Sequence, residues 1–123
     1  MNMNIIGAQG ELRIYKVAYL PEGIGNNRPN KNGDGAFILA HSEKGHHHVI
    51  GGDVDVIEHV QTKKINGNTL AMRTLYAIVN EPTRIHQTAA TPHEDIFLDQ
   101  GVYAIKTDME YNPFADEIRE VQD

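Results

Sequence analysis

The chain has 123 residues, a formal net charge of −6 and no cysteine. This length suits one domain with its own core, and the lack of cysteine excludes disulfides, thiolate catalysis and cysteine-ligated zinc. An acidic chain without a basic stripe is not expected to bind nucleic acid, and no apolar run is long enough to span a membrane. Because the N-terminus also lacks the pattern of a signal peptide, we expect a single domain over residues 1–123 that is synthesised in the cytoplasm.

Short apolar runs separated by turn residues predict β-strands along the first half of the chain. The first covers residues 11–20 and ends at Pro21. Residues 23–35 are rich in glycine, asparagine and proline, which predicts a loop. Further strands are predicted over residues 35–40, 49–50 and 53–60, with a turn at Gly51-Gly52.

The second half contains Asn66-Gly67, the strongest hairpin signal in the sequence. The return strand is predicted over residues 69–79; a helix is the alternative, but β-branched and aromatic residues favour a strand. The tail, residues 112–123, begins with a proline stop and has the apolar spacing of a short C-terminal helix. Between hairpin and tail, extended segments are predicted over residues 83–86, 95–98 and 101–107, the last two joined by a turn at Asp99-Gln100-Gly101.

These segments together predict the fold class. About seven to eight short strands with regular turns and almost no helix are typical of an all-β domain, either a compact β-sandwich or a small barrel. Such folds expose strand edges, which can pair with further copies of the chain. We therefore expect a homo-oligomer or a protein assembly partner.

Histidines supply the main chemical signal, and four of the seven lie between His41 and His48. If this stretch is extended, alternation places His46 and His48 on one face, as a pair of metal ligands. A stable site needs three or four ligands, and the candidates that would complete it are His93 with either His86 or His41. Neutral imidazoles suit zinc, iron, nickel or copper. The alternative is a polar, exposed strand end without a metal.

Several short motifs also occur in a characteristic order. They are Gln9-Gly10-Glu11, Leu20-Pro21, Ala40-His-Ser-Glu43, Gly45-His-His-His48, His93 ahead of Gly101-Val-Tyr103, Glu110-Tyr111 and Ile118-Arg119. In this set and order the chain resembles a family of small, mostly uncharacterised proteins encoded by bacteria and bacteriophages. The resemblance runs over nearly the whole chain. It implies a β fold and the histidine constellation, without a reaction, and it makes a virion or phage accessory role one form of the expected function.

We expect a small soluble β-domain that acts as a binding or structural module, with a histidine-lined site for a divalent metal. The alternative is a small cupin-like metal-dependent enzyme, a hydrolase or oxygenase, with His46, His48 and His93 as ligands and Glu43 as acid/base. The likeness to cupins is incomplete, because Gly51-Gly52 and the residue after them occupy the region where the cupin glutamate belongs. Nucleophile-elbow, phosphate-loop and dinucleotide motifs are absent from the sequence.

Overall fold

The structure is a computed structural model that describes residues 4–40, 47–88 and 94–107. The described residues form no helix, and they therefore contain no helix that is long and apolar enough to cross a membrane. The predicted C-terminal helix falls in residues 112–123 and lies outside the described residues. The described strands, which confirm the all-β fold class, are β1 Asn4–Gln9, β2 Leu12–Val17, β3 Phe37–Ala40, β4 His48–Ile50, β5 Val54–Ile65, β6 Asn68–Val79, β7 Thr83–Gln87, β8 Ile96–Leu98 and β9 Gly101–Thr107.

The strands build two antiparallel sheets that do not close into a barrel, which leaves the sandwich of the two predicted forms. The order is β1-β2-β9-β6-β5 in the first sheet and β3-β4-β7-β8 in the second. One face of each sheet is apolar, and the two faces pack together. Each valine, leucine, isoleucine or phenylalanine side chain buried there contributes about 1.5–3 kcal/mol by leaving water. The core residues are Leu12, Ile14, Val56, Leu75, Ala77, Val79, Tyr103 and Ile105 from the first sheet, and Phe37, Leu39, Ala40, Ile50, Ile85 and Leu98 from the second.

Strand β1 was not expected from the sequence, in which the first predicted strand begins at residue 11. Ile5 and Ile6 are 57% and 43% exposed, whereas Gln9 is only 1% exposed. The strand therefore carries apolar residues outside and a polar residue inside, the reverse of the alternation that marks a half-buried strand. A register shift between Ile5 and Gly7 disturbs the period further.

The two sheets approach each other closely where β1 meets β8. A Cβ atom added to Gly7 would lie 3.3 Å from the side chain of Ile96, which is tighter than ordinary contact. Glycine at this position leaves room for the Ile96 side chain to pack against the backbone of β1. The approach matters for the site, because Gln9 follows two residues after Gly7 on the same strand.

The β5–β6 hairpin confirms the turn predicted at Asn66-Gly67. Asn66 has φ 52° and Gly67 has φ 83°, and Ile65 pairs with Asn68 around them. Two central residues with positive φ form the turn type whose twist matches the strands of a hairpin. Strand β5 is longer than predicted, because it extends to Ile65 and does not end at residue 60.

The turn between β8 and β9 carries the chain from one sheet to the other, so these two predicted strands are neighbours in sequence but do not pair. Strand β8 pairs with β7, whereas β9 pairs with β2 and β6. The hydroxyl of Tyr103 donates to the carbonyl oxygen of Asp99 over 2.8 Å and ties β9 to the turn before it.

The predicted loop at 23–35 is confirmed, and it contacts strand β5. The side-chain oxygen of Asn32 accepts from the backbone N–H groups of Asp34 and Ala36, which holds a tight turn. Earlier in the loop, the guanidinium of Arg28 donates twice to the carboxylate of Asp55, with both distances 2.8 Å.

Candidate histidine site

Of the residues predicted to form the site, His48 and His86 belong to the described part of the chain. His48 opens β4 and His86 lies in β7, the strand that pairs with β4. The other candidates, His41, Glu43, His46 and His93, lie outside the described residues. The full ligand set therefore stays a prediction.

His48 is a buried histidine whose partner is Gln9. Its ring is only 5% exposed, on the core face of the four-stranded sheet, as expected because Ile50 two residues on is a core residue. The Nδ1 atom of His48 lies 2.8 Å from Oε1 of Gln9. Gln9 comes from β1 of the opposite sheet, so this bond joins the two layers of the sandwich.

The orientation of the Gln9 amide is fixed by its other contacts. Its nitrogen donates to the carbonyl oxygen of Ile85 over 3.1 Å and to that of Glu94 over 3.0 Å. Carbonyl oxygens only accept, so the amide nitrogen must lie on that side and the amide oxygen must face His48. An amide oxygen also only accepts, and the hydrogen-bond network therefore assigns the proton of neutral His48 to Nδ1. Nε2 is then the nitrogen with the lone pair, the one that can bind a metal.

Gln9 also gathers three segments that carry or adjoin predicted ligands: β4, β7 and the segment before β8. It bonds His48 directly, it bonds the residue before His86, and it bonds Glu94, the residue after His93. One buried side chain thus holds β4, β7 and the segment before β8 at the same point. Sequence positions 48, 85 and 94 are far apart, and the fold makes them neighbours.

His86 has an equivalent orienting contact with a different partner. Its Nδ1 lies 2.7 Å from a carboxylate oxygen of Asp95, whose other oxygen accepts from Arg84 over 2.8 Å. A carboxylate that accepts from Nδ1–H leaves Nε2 as the ligand nitrogen, an arrangement common around histidine ligands of metals. Asp95 is mostly buried, whereas the His86 side chain is 40% exposed.

His48 and His86 lie on opposite faces of the four-stranded sheet. In the β4–β7 ladder His48 is opposite Gln87, and His86 is opposite Val49. Residues directly opposite each other in a ladder point to the same face of the sheet, whereas successive residues along a strand point to opposite faces. His86 therefore points to the face of Val49, and His48 points to the other face. Within the described ranges, no group of three or more His, Cys, Asp or Glu residues is placed to hold a metal ion.

A groove of about 530 Å³ lies beside β7 and β8. It is lined by Pro82, Thr83, Arg84, Phe97, Leu98 and Asp99. Phe97 is 73% exposed there. Of the predicted ligands that the structure describes, neither His48 nor His86 lines this groove.

Gln9 and Asp95 are the functional residues that sequence analysis missed. Gln9 stood in the Gln9-Gly10-Glu11 motif, but a glutamine in a polar stretch gives no sign that it will be buried. Asp95 lies two residues after His93, and only the pairing of β7 with β8 brings it to His86. Both act through contacts between strands, which residue spacing along the chain does not reveal.

Comparison with known proteins gives a family and nothing more specific. No curated protein and no solved structure matches the chain. One protein family, described as a domain of unknown function (DUF8820), matches residues 8–108. The match covers Gln9, His48, His86 and Asp95, together with all but the first strand residues of the sandwich. The chain therefore belongs to the DUF8820 family.

Proposed function

We propose that the protein is a small β-sandwich binding module that holds a divalent metal at its histidine-bearing end. The observation that supports this most directly is the buried amide of Gln9. It gathers β4, β7 and the segment before β8, and it directs the proton of His48 to Nδ1. A histidine ligand of a metal usually donates its other ring N–H to a protein acceptor, as His48 does to Gln9.

The proposed ligands are His48 through Nε2, together with His46 and His93 from the adjoining segments. The fourth candidate is His41 rather than His86, because His86 lies on the opposite face of the sheet from His48. Imidazole nitrogens favour zinc, iron, nickel or copper over calcium or magnesium. Among the described residues, Gln9 contributes to this site by orienting His48, because its bond to Nδ1 fixes the ring and the direction of the Nε2 lone pair.

The burial of His48 favours a binding or structural role for this metal. Structural sites are closed by protein ligands, whereas catalytic sites keep an open coordination position for water or substrate. A ligand that is 5% exposed fits the closed kind better. The enzyme alternative needs Glu43 beside an open position; Glu43 lies outside the described residues, so this alternative rests on the sequence alone. A virion or phage accessory role rests on the sequence resemblance alone.

The proposal is tested by titrating chelator-treated protein with Zn²⁺ in a calorimeter. Wild type should bind about one equivalent, and His48→Ala should bind at least about tenfold more weakly. His59→Ala is the matched control, because His59 lies on β5 outside the three segments that Gln9 gathers. It should bind as wild type does, and circular dichroism should show both variants folded. Equal affinity in wild type and His48→Ala would overturn the proposal.

A further inference from the structure

Strand β5 forms one edge of the five-stranded sheet, and its second half extends past most of the sandwich. Strand β6 pairs with β5 along its whole length, but with β9 only over Leu75–Val79. Among the described residues, the outer parts of β5 and β6 therefore form a two-stranded ribbon. A ribbon of two strands is only marginally stable in water by itself and gains from a third strand.

The backbone groups that face away from β6 can be identified from the one that is already bonded. The N–H of Glu58 donates to the carbonyl oxygen of Asn27 in the loop, over 2.8 Å. This N–H group therefore points to the outer edge of β5. Because backbone groups of every second residue point to the same edge, the N–H and C=O groups of Val60, Thr62 and Lys64 also point outward. All three residues are exposed, Val60 by 52%. In the part of the chain that the structure describes, no hydrogen bond reaches these outward groups.

The open part of this edge has two limits. On one side Asn27 occupies the edge at Glu58, and the ion pair between Arg28 and Asp55 holds the loop there. On the other side the strand ends at Ile65, where the hairpin turn begins. The open window thus runs from residue 59 to residue 65, and its middle residue is Thr62.

We propose that a second copy of the chain pairs antiparallel along this window, across a two-fold axis at Thr62. Thr62 then lies opposite itself, and Val60 lies opposite Lys64 of the second copy. The outward N–H and C=O groups form up to about six hydrogen bonds, as in any antiparallel ladder. With this axis, Glu58 of one copy lies opposite position 66 of the other copy, where strand β5 has already ended. The loop that occupies the edge at Glu58 therefore does not obstruct the second strand. The two sheets join into one, which is a common mode of association at strand edges.

Charge and sterics disfavour the neighbouring two-fold positions. An axis at position 63, a lysine, would place two lysines directly opposite each other, which is destabilising. An axis at Gln61 would require the edge at Glu58, which Asn27 already occupies. With the axis at Thr62, no two residues of like charge are opposite. The proposed interface uses no residue of the histidine site, so it stands or falls separately from metal binding.

The first test is sedimentation equilibrium of the full chain at concentrations up to about 1 mM, where even a Kd near 1 mM gives much dimer. Wild type should approach twice its chain mass of 13.7 kDa. Thr62→Pro removes one outward N–H and no bond to β6, so it should stay folded and remain monomeric. Thr62→Ala, which keeps the N–H, should dimerise as wild type does. A monomeric wild type, or a Thr62→Pro variant that dimerises equally well, would overturn the proposal.

A second measurement needs no variant and therefore holds even if Thr62→Pro fails to fold. Amide hydrogen exchange of wild type, resolved by residue, should slow at Val60, Thr62 and Lys64 between dilute and concentrated protein, by about twofold at 1 mM if the Kd is near 1 mM and by more if the Kd is lower. Gln61, whose N–H faces β6, should change much less. Exchange that is independent of concentration at the three outward amides, or slowed equally at Gln61, would contradict pairing along this edge.

Discussion

Replacing Gln9 by leucine tests the buried junction at the histidine end of the sandwich. Leucine has a similar volume but can neither accept from His48 nor donate to the two carbonyl groups. The bonds to His48 and to Ile85 are buried, and losing each costs about 1–2 kcal/mol. The Glu94 carbonyl is only partly buried and can turn to water. The free energy of unfolding should therefore fall by about 2–4 kcal/mol.

The expected change in melting temperature follows from the size of the chain. Unfolding entropy is about 2.1 cal/mol/K per residue, so for 123 residues this loss lowers Tm by about 8–15 °C. The assay is urea unfolding followed by circular dichroism, with chelator present so that metal binding does not contribute. Gln100→Leu is the control, since Gln100 is exposed in a turn. If Gln9→Leu lies within about 0.5 kcal/mol of wild type, the amide does not hold the junction together.

Two further predictions concern the sheet that contains the β5–β6 hairpin. Gly67→Ala should lower the free energy of unfolding by about 1 kcal/mol, because φ 83° is unfavourable for alanine. Gly33→Ala, at a position with open space and no positive φ, should cause no loss; equal losses in urea unfolding would argue against the turn. Burial raises the pKa of Tyr76 above its ordinary value of 10.0, so the folded state retains the proton more strongly. Stability should be complete below pH 10.0 and decline above it, and Tyr76→Phe should reduce this decline in urea unfolding at alkaline pH; an unchanged pH profile would contradict the assignment.

The sequence predicted the elements whose signals are local. The turn at Asn66-Gly67 needs positive φ at two adjacent positions, and few residue pairs other than these allow it. Short apolar runs likewise marked β3, which is buried along its whole length, and β9, whose three central residues are buried. Such features depend on a few consecutive residues, and sequence reasoning can therefore recover them.

Features that depend on distant contacts were not predictable. Strand β1 carries its isoleucines outward and is identified only by its pairing with β2. Strands β8 and β9 lie in different sheets, although the short turn between them would equally suit a hairpin. The turn residues alone therefore do not tell which strands β8 and β9 pair with. The same holds for the site. Spacing suggested His48 and His86, but their opposite faces and their acceptors Gln9 and Asp95 follow from strand pairing.

The most direct test of the central claim is elemental analysis of untagged protein, purified without a nickel column. Wild type should be measured beside a variant in which His46 and His48 are both replaced by alanine. The proposed site predicts about one metal ion per chain in wild type and none in the variant, and the element found would identify the metal. Metal-free wild type, or equal metal content in both proteins, would contradict a metal site at this end of the sandwich.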